Sequence, residues 1–237
     1  MKKILVVMGM VFLVTGLTTR QGMAEGRKKE PTPFVRFTFD DGPGPYTKEI
    51  LDILEKEKIK AVFFVVGLQV KKYPHILKEI AKRGHIIGNH TYRHARLSKL
   101  EREQIREEIL EGEKIIISNL GGETEAKGRF LLGDGAIIYG QKREFKLFRA
   151  PYLENDKKII EEAEKMDYLS WNEGISGDDW KKIKPEEIVR RVLMRMKDKK
   201  DPAYVIILHD IQKGTPEILK ILIKIFKERG YDLHPGS

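Results

Sequence analysis

Five short polar clusters stand out in this chain, each closing an apolar run. The first, Thr38-Phe-Asp-Asp-Gly-Pro43, sets two carboxylates side by side. Adjacent carboxylates repel unless something positive lies between or beside them. Asp40 and Asp41 can therefore divide labour, one binding a metal ion and the other working as a base; the bland reading is an Asp-Gly-Pro turn. The second cluster is His90-Thr-Tyr-Arg-His94. Imidazoles four residues apart lie on one face of a helical turn and can share an ion, whereas a single histidine is more often a cap or a core residue. The zinc-protease pattern needs Glu directly after the first histidine, and Thr91 stands there. Asp41, His90 and His94 together make an oxygen–nitrogen–nitrogen set that leaves positions open for water and substrate. Such a set suits Zn²⁺, with Co²⁺ or Fe²⁺ as alternatives.

The third cluster, Phe148-Arg-Ala-Pro-Tyr152, offers Arg149 as a fork for a carboxylate, and Asp40 is the obvious candidate; the competing reading is a surface ion pair. The fourth is Asp178-Asp179-Trp180. In the fifth, Leu208-His209-Asp210, a histidine ends a strongly apolar strand beside a carboxylate. It can serve as a general acid with a tuned pKa, or be a histidine satisfied by backbone.

The segments between these clusters alternate short β-type runs with amphipathic helical patterns. Strands are expected over Phe34–Phe39, Ala61–Val66, His85–Asn89, Lys146–Arg149, Tyr168–Trp171 and Ala203–Leu208. Helices are expected over Lys48–Lys58, Pro74–Lys82, Lys99–Asn119, Asp156–Met166, Pro185–Lys197 and Thr215–Arg229. Repeated strand–helix units imply a parallel sheet with right-handed crossovers, and this many in one chain favour an α/β barrel over an open sheet. Functional groups in such folds gather where strands end, which is where the five clusters fall. One stretch breaks the rhythm: Arg129–Leu132 and Ala136–Tyr139 flank Gly133-Asp134-Gly135, and residues 120–144 are expected to form a β-hairpin insertion.

The 237-residue chain has no cysteine, which removes disulfides, thiolate metal sites and cysteine nucleophiles together. Lys2 and Lys3 precede an apolar run from Ile4 to Leu17, and Gly22-Met23-Ala24 follows. A basic start, a short apolar middle and small residues before position 25 predict a signal peptide over 1–24 and an exported protein. The run is shorter than the roughly 20 residues of a membrane span. A polar tether is expected over 25–33, then one catalytic domain over 34–237. Loss of Lys2, Lys3 and Arg20 takes the net charge from +9 to +6, a balance that suits an anionic cell wall or membrane surface. The charges mix with Glu along helices, as in Glu101–Glu108, and no basic stripe interleaves with aromatics, so no nucleic-acid partner is expected.

In this order the clusters resemble the polysaccharide deacetylase family (carbohydrate esterase family four, the chitooligosaccharide deacetylase homology domain) over roughly residues 34 to 235. The resemblance implies an irregular (β/α) barrel, usually of seven strands, with the hairpin as a small insertion. It implies that Asp40 is the catalytic base, that Asp41, His90 and His94 hold the metal, and that Arg149 orients the base. It further implies that the Tyr152 backbone N–H helps hold an oxyanion, that His209 is the catalytic acid tuned by Asp179, and that Trp180 and Leu208 wall the acetyl-methyl pocket. Ser176 stands where the fourth motif often begins with Asp, and Leu153 replaces a common Gly, which would narrow the groove. The implied reaction is removal of acetyl from N-acetylglucosamine units of a polysaccharide, with a monomer as the expected working form. Peptidoglycan is the preferred substrate, with chitin oligomers, exopolysaccharide and lipid-linked glycans behind it. The alternatives are an acetylxylan-type O-deacetylase, a cyclic-amide hydrolase, which export disfavours, and a catalytically silent carbohydrate-binding homologue.

Overall fold

In the computed structural model, the described residues are 32–121, 137–138, 141–142, 146–197 and 203–233. Seven strands form one parallel sheet: β1 (Phe34–Asp40), β2 (Val62–Val65), β3 (Ile86–Asn89), β6 (Lys146–Phe148), β7 (Tyr168–Ser170), β8 (Ile175–Ser176) and β9 (Ala203–His209). The spatial order is β7-β6-β3-β2-β1-β9-β8, and the sheet curls into an irregular barrel with β7 and β8 as its two edges among the described residues. The helices are α1 (Thr47–Lys56), α2 (Gly67–Lys72), α3 (Pro74–Lys82), α4 (Arg102–Leu120), α5 (Lys157–Glu164), α6 (Pro185–Lys197) and α7 (Thr215–Glu228). Two further short strands, β4 (Ile137–Ile138) and β5 (Gln141–Lys142), pair antiparallel with each other. The expected pairing of Arg129–Leu132 across the Gly133–Gly135 turn lies outside the described residues, as do the expected signal segment and most of the tether.

Strand alternation separates two environments. Phe37, Phe39, Phe63, Val65, Ile87, Phe148, Ile206 and Leu208 point outward and form the main core with the helices. Val62, Phe64 and Leu147 point into the barrel, with Ile86, Leu169 and Trp171 packed against them. Being buried on both faces is why β2 and β9 read as nearly unbroken apolar runs. The inward positions at the carboxyl ends of the strands are polar: Thr38 and Asp40 on β1, His90 just past β3, Arg149 just past β6 and His209 on β9.

Most expected elements hold to within two or three residues at each end. Pro at the first helical position sets the start of α3 and α6. Three of the named strands and helices were not expected from the sequence. The six-residue α2 starts at a glycine with no side-chain cap, and β5 and β8 are only two residues long; none is long enough to show a periodicity.

Candidate active site and metal centre

β1 delivers Asp40 into the barrel, and Asp41 turns away from the strand direction in a left-handed conformation (φ 73°). Arg149 crosses the barrel to meet Asp40. Its Nη1 donates to Asp40 Oδ1 at 2.8 Å and to Thr38 Oγ1 at 2.7 Å, while Nε donates to the Trp171 carbonyl at 2.8 Å. The guanidinium lies 4.1 Å over the Phe64 ring and is fully buried. Burial lowers its pKa and the Asp40 charge works against that; guanidinium stays protonated in proteins. The pair is thus a buried ion pair rather than a surface one, and removing either partner would strand a charge.

The His90–His94 segment is a loop, not a helical turn: Thr91 (φ 70°) and His94 (φ 59°) are both left-handed. Long-range contacts override the helical reading. Asn89 Oδ1 accepts from the Thr91 N–H at 2.9 Å, and Thr91 Oγ1 accepts from the His94 N–H at 3.0 Å. From α4, Glu108 accepts from the Arg93 N–H and Nε at 2.9 and 2.6 Å, and its own carbonyl takes the Tyr92 N–H at 2.9 Å. Gly112 allows this approach, because a Cβ there would lie 2.6 Å from Asn89 Oδ1 and 3.0 Å from the Thr91 backbone.

The two imidazoles still converge. His90 Nε2 and His94 Nε2 lie 3.3 and 3.0 Å from Asp41 Oδ1, which is buried and has no hydrogen-bond partner. The chosen ligand atoms of Asp41, His90 and His94 all lie within 4.8 Å of one another. Ligand atoms about 2 Å from a common tetrahedral ion sit roughly 3.3 Å apart. His90 Nδ1 faces the Arg149 carbonyl at 2.7 Å. A carbonyl only accepts, so Nδ1 carries the proton and Nε2 presents a lone pair, the tautomer a metal ligand requires. Burial would raise the Asp41 carboxyl, but the close approach of the His90 and His94 imidazoles and the nearby His209 charge hold it well below the usual carboxylate range. An unpartnered buried oxygen facing two imidazole nitrogens fits a divalent cation.

The partner of His209 is Asp179, not its chain neighbour Asp210. Asp179 Oδ1 lies 2.7 Å from His209 Nδ1, and Oδ2 accepts from the His209 N–H at 2.8 Å and from Thr215 Oγ1 at 2.9 Å. Burial would lower the imidazole pKa, yet the Asp179 hydrogen bond and charge, with Asp40 and Asp41 behind them, push it up to about 9. His209 is therefore protonated at neutral pH, as a general acid needs to be. Asp178 sits left-handed (φ 64°) beneath Lys181, Arg191 and Arg195, which fixes the turn that aims Asp179 inward.

Two half-exposed aromatics flank the centre. The Tyr152 ring lies 4.9 Å from His94 and Trp180 lies 5.1 Å from His209, with exposures of 54% and 47%. The short turn at Tyr152 uses the N–H groups of Leu153 and Glu154 for its own hydrogen bonds, so the Tyr152 N–H is not consumed by them. Leu153 adopts φ 57°, the conformation a glycine would take freely. The structure does not bring Leu208 to the site. Its side chain packs in the outer core with Phe37 and Phe39, because it alternates with His209; the inward neighbour is Ile207. Residue types alone did not single out Thr38, Thr47, Glu108 or Thr215 as supports. Only the period-two alternation could have flagged Thr38, two residues before Asp40.

A polysaccharide deacetylase family model matches residues 27–129. A peptidoglycan-N-acetylglucosamine deacetylase of Bacillus cereus is 32% identical over 204 residues, which cover 83% of this chain and 64% of that protein. The chain thus spans less than two thirds of that relative's length. A second Bacillus cereus protein of the same name is 30% identical over 203 residues, 83% of each chain. The solved structure of a T48 deacetylase with substrate superposes with a TM-score of 0.68 at 30% identity, covering 84% of this chain and 86% of that one. With a barrel and a strand-end site of this kind, the chain belongs to the polysaccharide deacetylase family.

Proposed function

We propose that this protein is an exported, metal-dependent deacetylase that hydrolyses the N-acetyl groups of N-acetylglucosamine units in peptidoglycan. The observation that carries the reading is the convergence at one barrel end of a buried Asp40–Arg149 pair, an Asp41–His90–His94 ligand set and an Asp179–His209 pair.

A divalent ion held by Asp41, His90 and His94 would polarise the acetamide carbonyl and acidify the attacking water. Asp40, anchored through Oδ1 by Arg149, takes the proton from that water as its oxygen adds to the carbonyl carbon. The Tyr152 N–H stabilises the negative charge that develops on the carbonyl oxygen. His209, held by Asp179, then donates its proton to the sugar nitrogen as the C–N bond breaks. The products are acetate and a free amino sugar. Ile207 shares the inward face with His209 and is placed to replace Leu208 beside Trp180 as an apolar wall for the acetyl methyl.

Two features support peptidoglycan over neutral chitin. Arg93 lines a cavity of about 200 Å³ with Asp41, His94, Leu68 and Ile211, and its side chain is 62% exposed. Arg96, also exposed, lies 4.0 Å over Tyr152. Each guanidinium is paired on one side, Arg93 with Glu108 and Arg96 with Glu154, and its remaining exposed N–H groups suit a glycan that bears carboxylates. Export, cleavage after Ala24 and action at the cell wall rest on the composition of residues 1–24 and the basic charge left after their removal.

The test is acetate release from peptidoglycan, chitooligosaccharides and acetylxylan, with and without a chelator. Chelator-sensitive acetate from peptidoglycan is expected to exceed that from the other two. Release from acetylxylan alone would make the protein an O-deacetylase, and no release from any substrate would leave a silent carbohydrate binder.

A further inference from the structure

Asp41 is a metal-ligand candidate held in a left-handed backbone conformation, which costs a non-glycine residue free energy and persists only where the surroundings over-determine it. What over-determines it is a residue from the far end of the chain. Asp210 is fully buried, and its carboxylate presses on the backbone at Gly42: a Cβ there would lie 2.1 and 2.2 Å from its two oxygens. Asp210 Oδ2 accepts the Thr47 hydroxyl proton at 2.6 Å, and the same hydroxyl oxygen accepts the Gly44 N–H at 2.7 Å. The Gly42 carbonyl is taken in turn by the Val66 N–H at 2.8 Å. The loop after Asp41 is thus clamped between Asp210 and the end of β2, with Thr47 at the start of α1 as the bridge.

This arrangement does little for the fold as such. Asp210 Oδ1 is buried with no hydrogen-bond partner, and two more carboxylates, Asp40 and Asp41, stand nearby. A buried carboxylate with an unpaired oxygen beside like charges is costly. An apolar side chain would fill the space with less penalty. We infer that Asp210 is a positioning residue that acts through Thr47 and Gly44 to fix the Asp41 carboxylate for metal binding, tying the ligand loop to the strand end that carries His209. The chain neighbour of the proposed acid would then serve the metal rather than the acid. The inference rests on the metal reading of Asp41, His90 and His94.

The test is equilibrium titration of the metal-free protein with Co²⁺, followed by the visible absorption of the bound ion. Thr47→Val removes the bridging hydroxyl without changing charge or size. Supporting shells of metal ligands typically contribute 10–100-fold to affinity, so its dissociation constant is expected to rise at least about 10-fold, with an altered cobalt spectrum. Thr47→Ser restores the hydroxyl and is expected to return both to near the wild-type values. Asp210→Asn is the second variant should Thr47→Val fail to fold, and it is expected to shift affinity in the same direction. Affinity within about threefold of wild type in Thr47→Val and Asp210→Asn, with an unchanged spectrum, overturns the inference, even if their melting temperatures fall. That outcome leaves the metal site standing. A wild-type protein that binds no more Co²⁺ than His90→Ala removes the metal reading itself, and the inference with it.

Discussion

Asp40 and His209 are register partners in the parallel β1–β9 pair. The proposed base and acid therefore sit side by side on adjacent strands, and both point into the barrel at the same end as the ligand set. Backbone hydrogen bonds, not loop contacts, fix their relation. Each has its own partner: Arg149 donates a hydrogen bond to the Asp40 carboxylate, and Asp179 beside His209 favours an imidazolium able to give a proton.

That division predicts distinct mutant phenotypes. His209→Ala is expected to bind metal normally and lose at least about 100-fold in kcat. Asp41→Ala and His90→Ala are expected to lose metal and activity together. Metal content by atomic emission, with turnover on an N-acetylglucosamine oligomer, checks both; an inactive His209→Ala that also lacks metal would assign that histidine to the wrong role.

Asp40→Asn should separate catalysis from stability differently. It leaves the Arg149 guanidinium buried without its counter-charge, so destabilisation of about 3–5 kcal/mol is expected in denaturant melts, along with loss of turnover. Metal affinity should change little. A variant as stable as wild type would mean that the buried pair contributes nothing net.

The pKa of His209 gives a pH signature in the metal-free protein. Its folded value, about 9, lies above the ordinary 6.5. The stabilisation from the Asp179 contact is therefore complete below about pH 6.5 and is lost as the pH climbs through about 9. The gap in unfolding free energy between wild type and Asp179→Asn is expected to be widest at low pH and to close above pH 9. A gap that widens with rising pH would contradict the assignment.

Gly112→Ala tests the support from α4. A Cβ there meets Asn89 and Thr91 at 2.6–3.0 Å, so the His90–His94 loop must shift. A stability loss of about 1–3 kcal/mol and weaker metal binding are expected together. Unchanged metal affinity would show that the loop holds its geometry without that close approach.

Local rules account for much of this molecule and fail where distant groups decide. Apolar periodicity, Pro at helix starts and Gly84 after α3 make the main strands and helices legible, and the polar clusters at strand ends mark the site. The His90–His94 spacing suits a helical turn, yet Glu108 and Asn89 hold the segment as a loop, and Glu108 lies on a helix that begins several residues later. His209 and Asp210 are neighbours in sequence, but the imidazole pairs with Asp179, thirty residues earlier, because consecutive residues at a strand end point to different sides. The same alternation sends Leu208 into the outer core. Asp210 carries no sequence signal for its contact with Gly42, which depends on β9 lying beside β1.

The most direct measurement of the central claim is calorimetric titration of the metal-free protein with Zn²⁺, run alongside acetate release from peptidoglycan at each occupancy. One ion per chain is expected, with acetate release rising in proportion to occupancy and neither seen in His90→Ala. Full acetate release by metal-free protein, or by His90→Ala, would contradict the account.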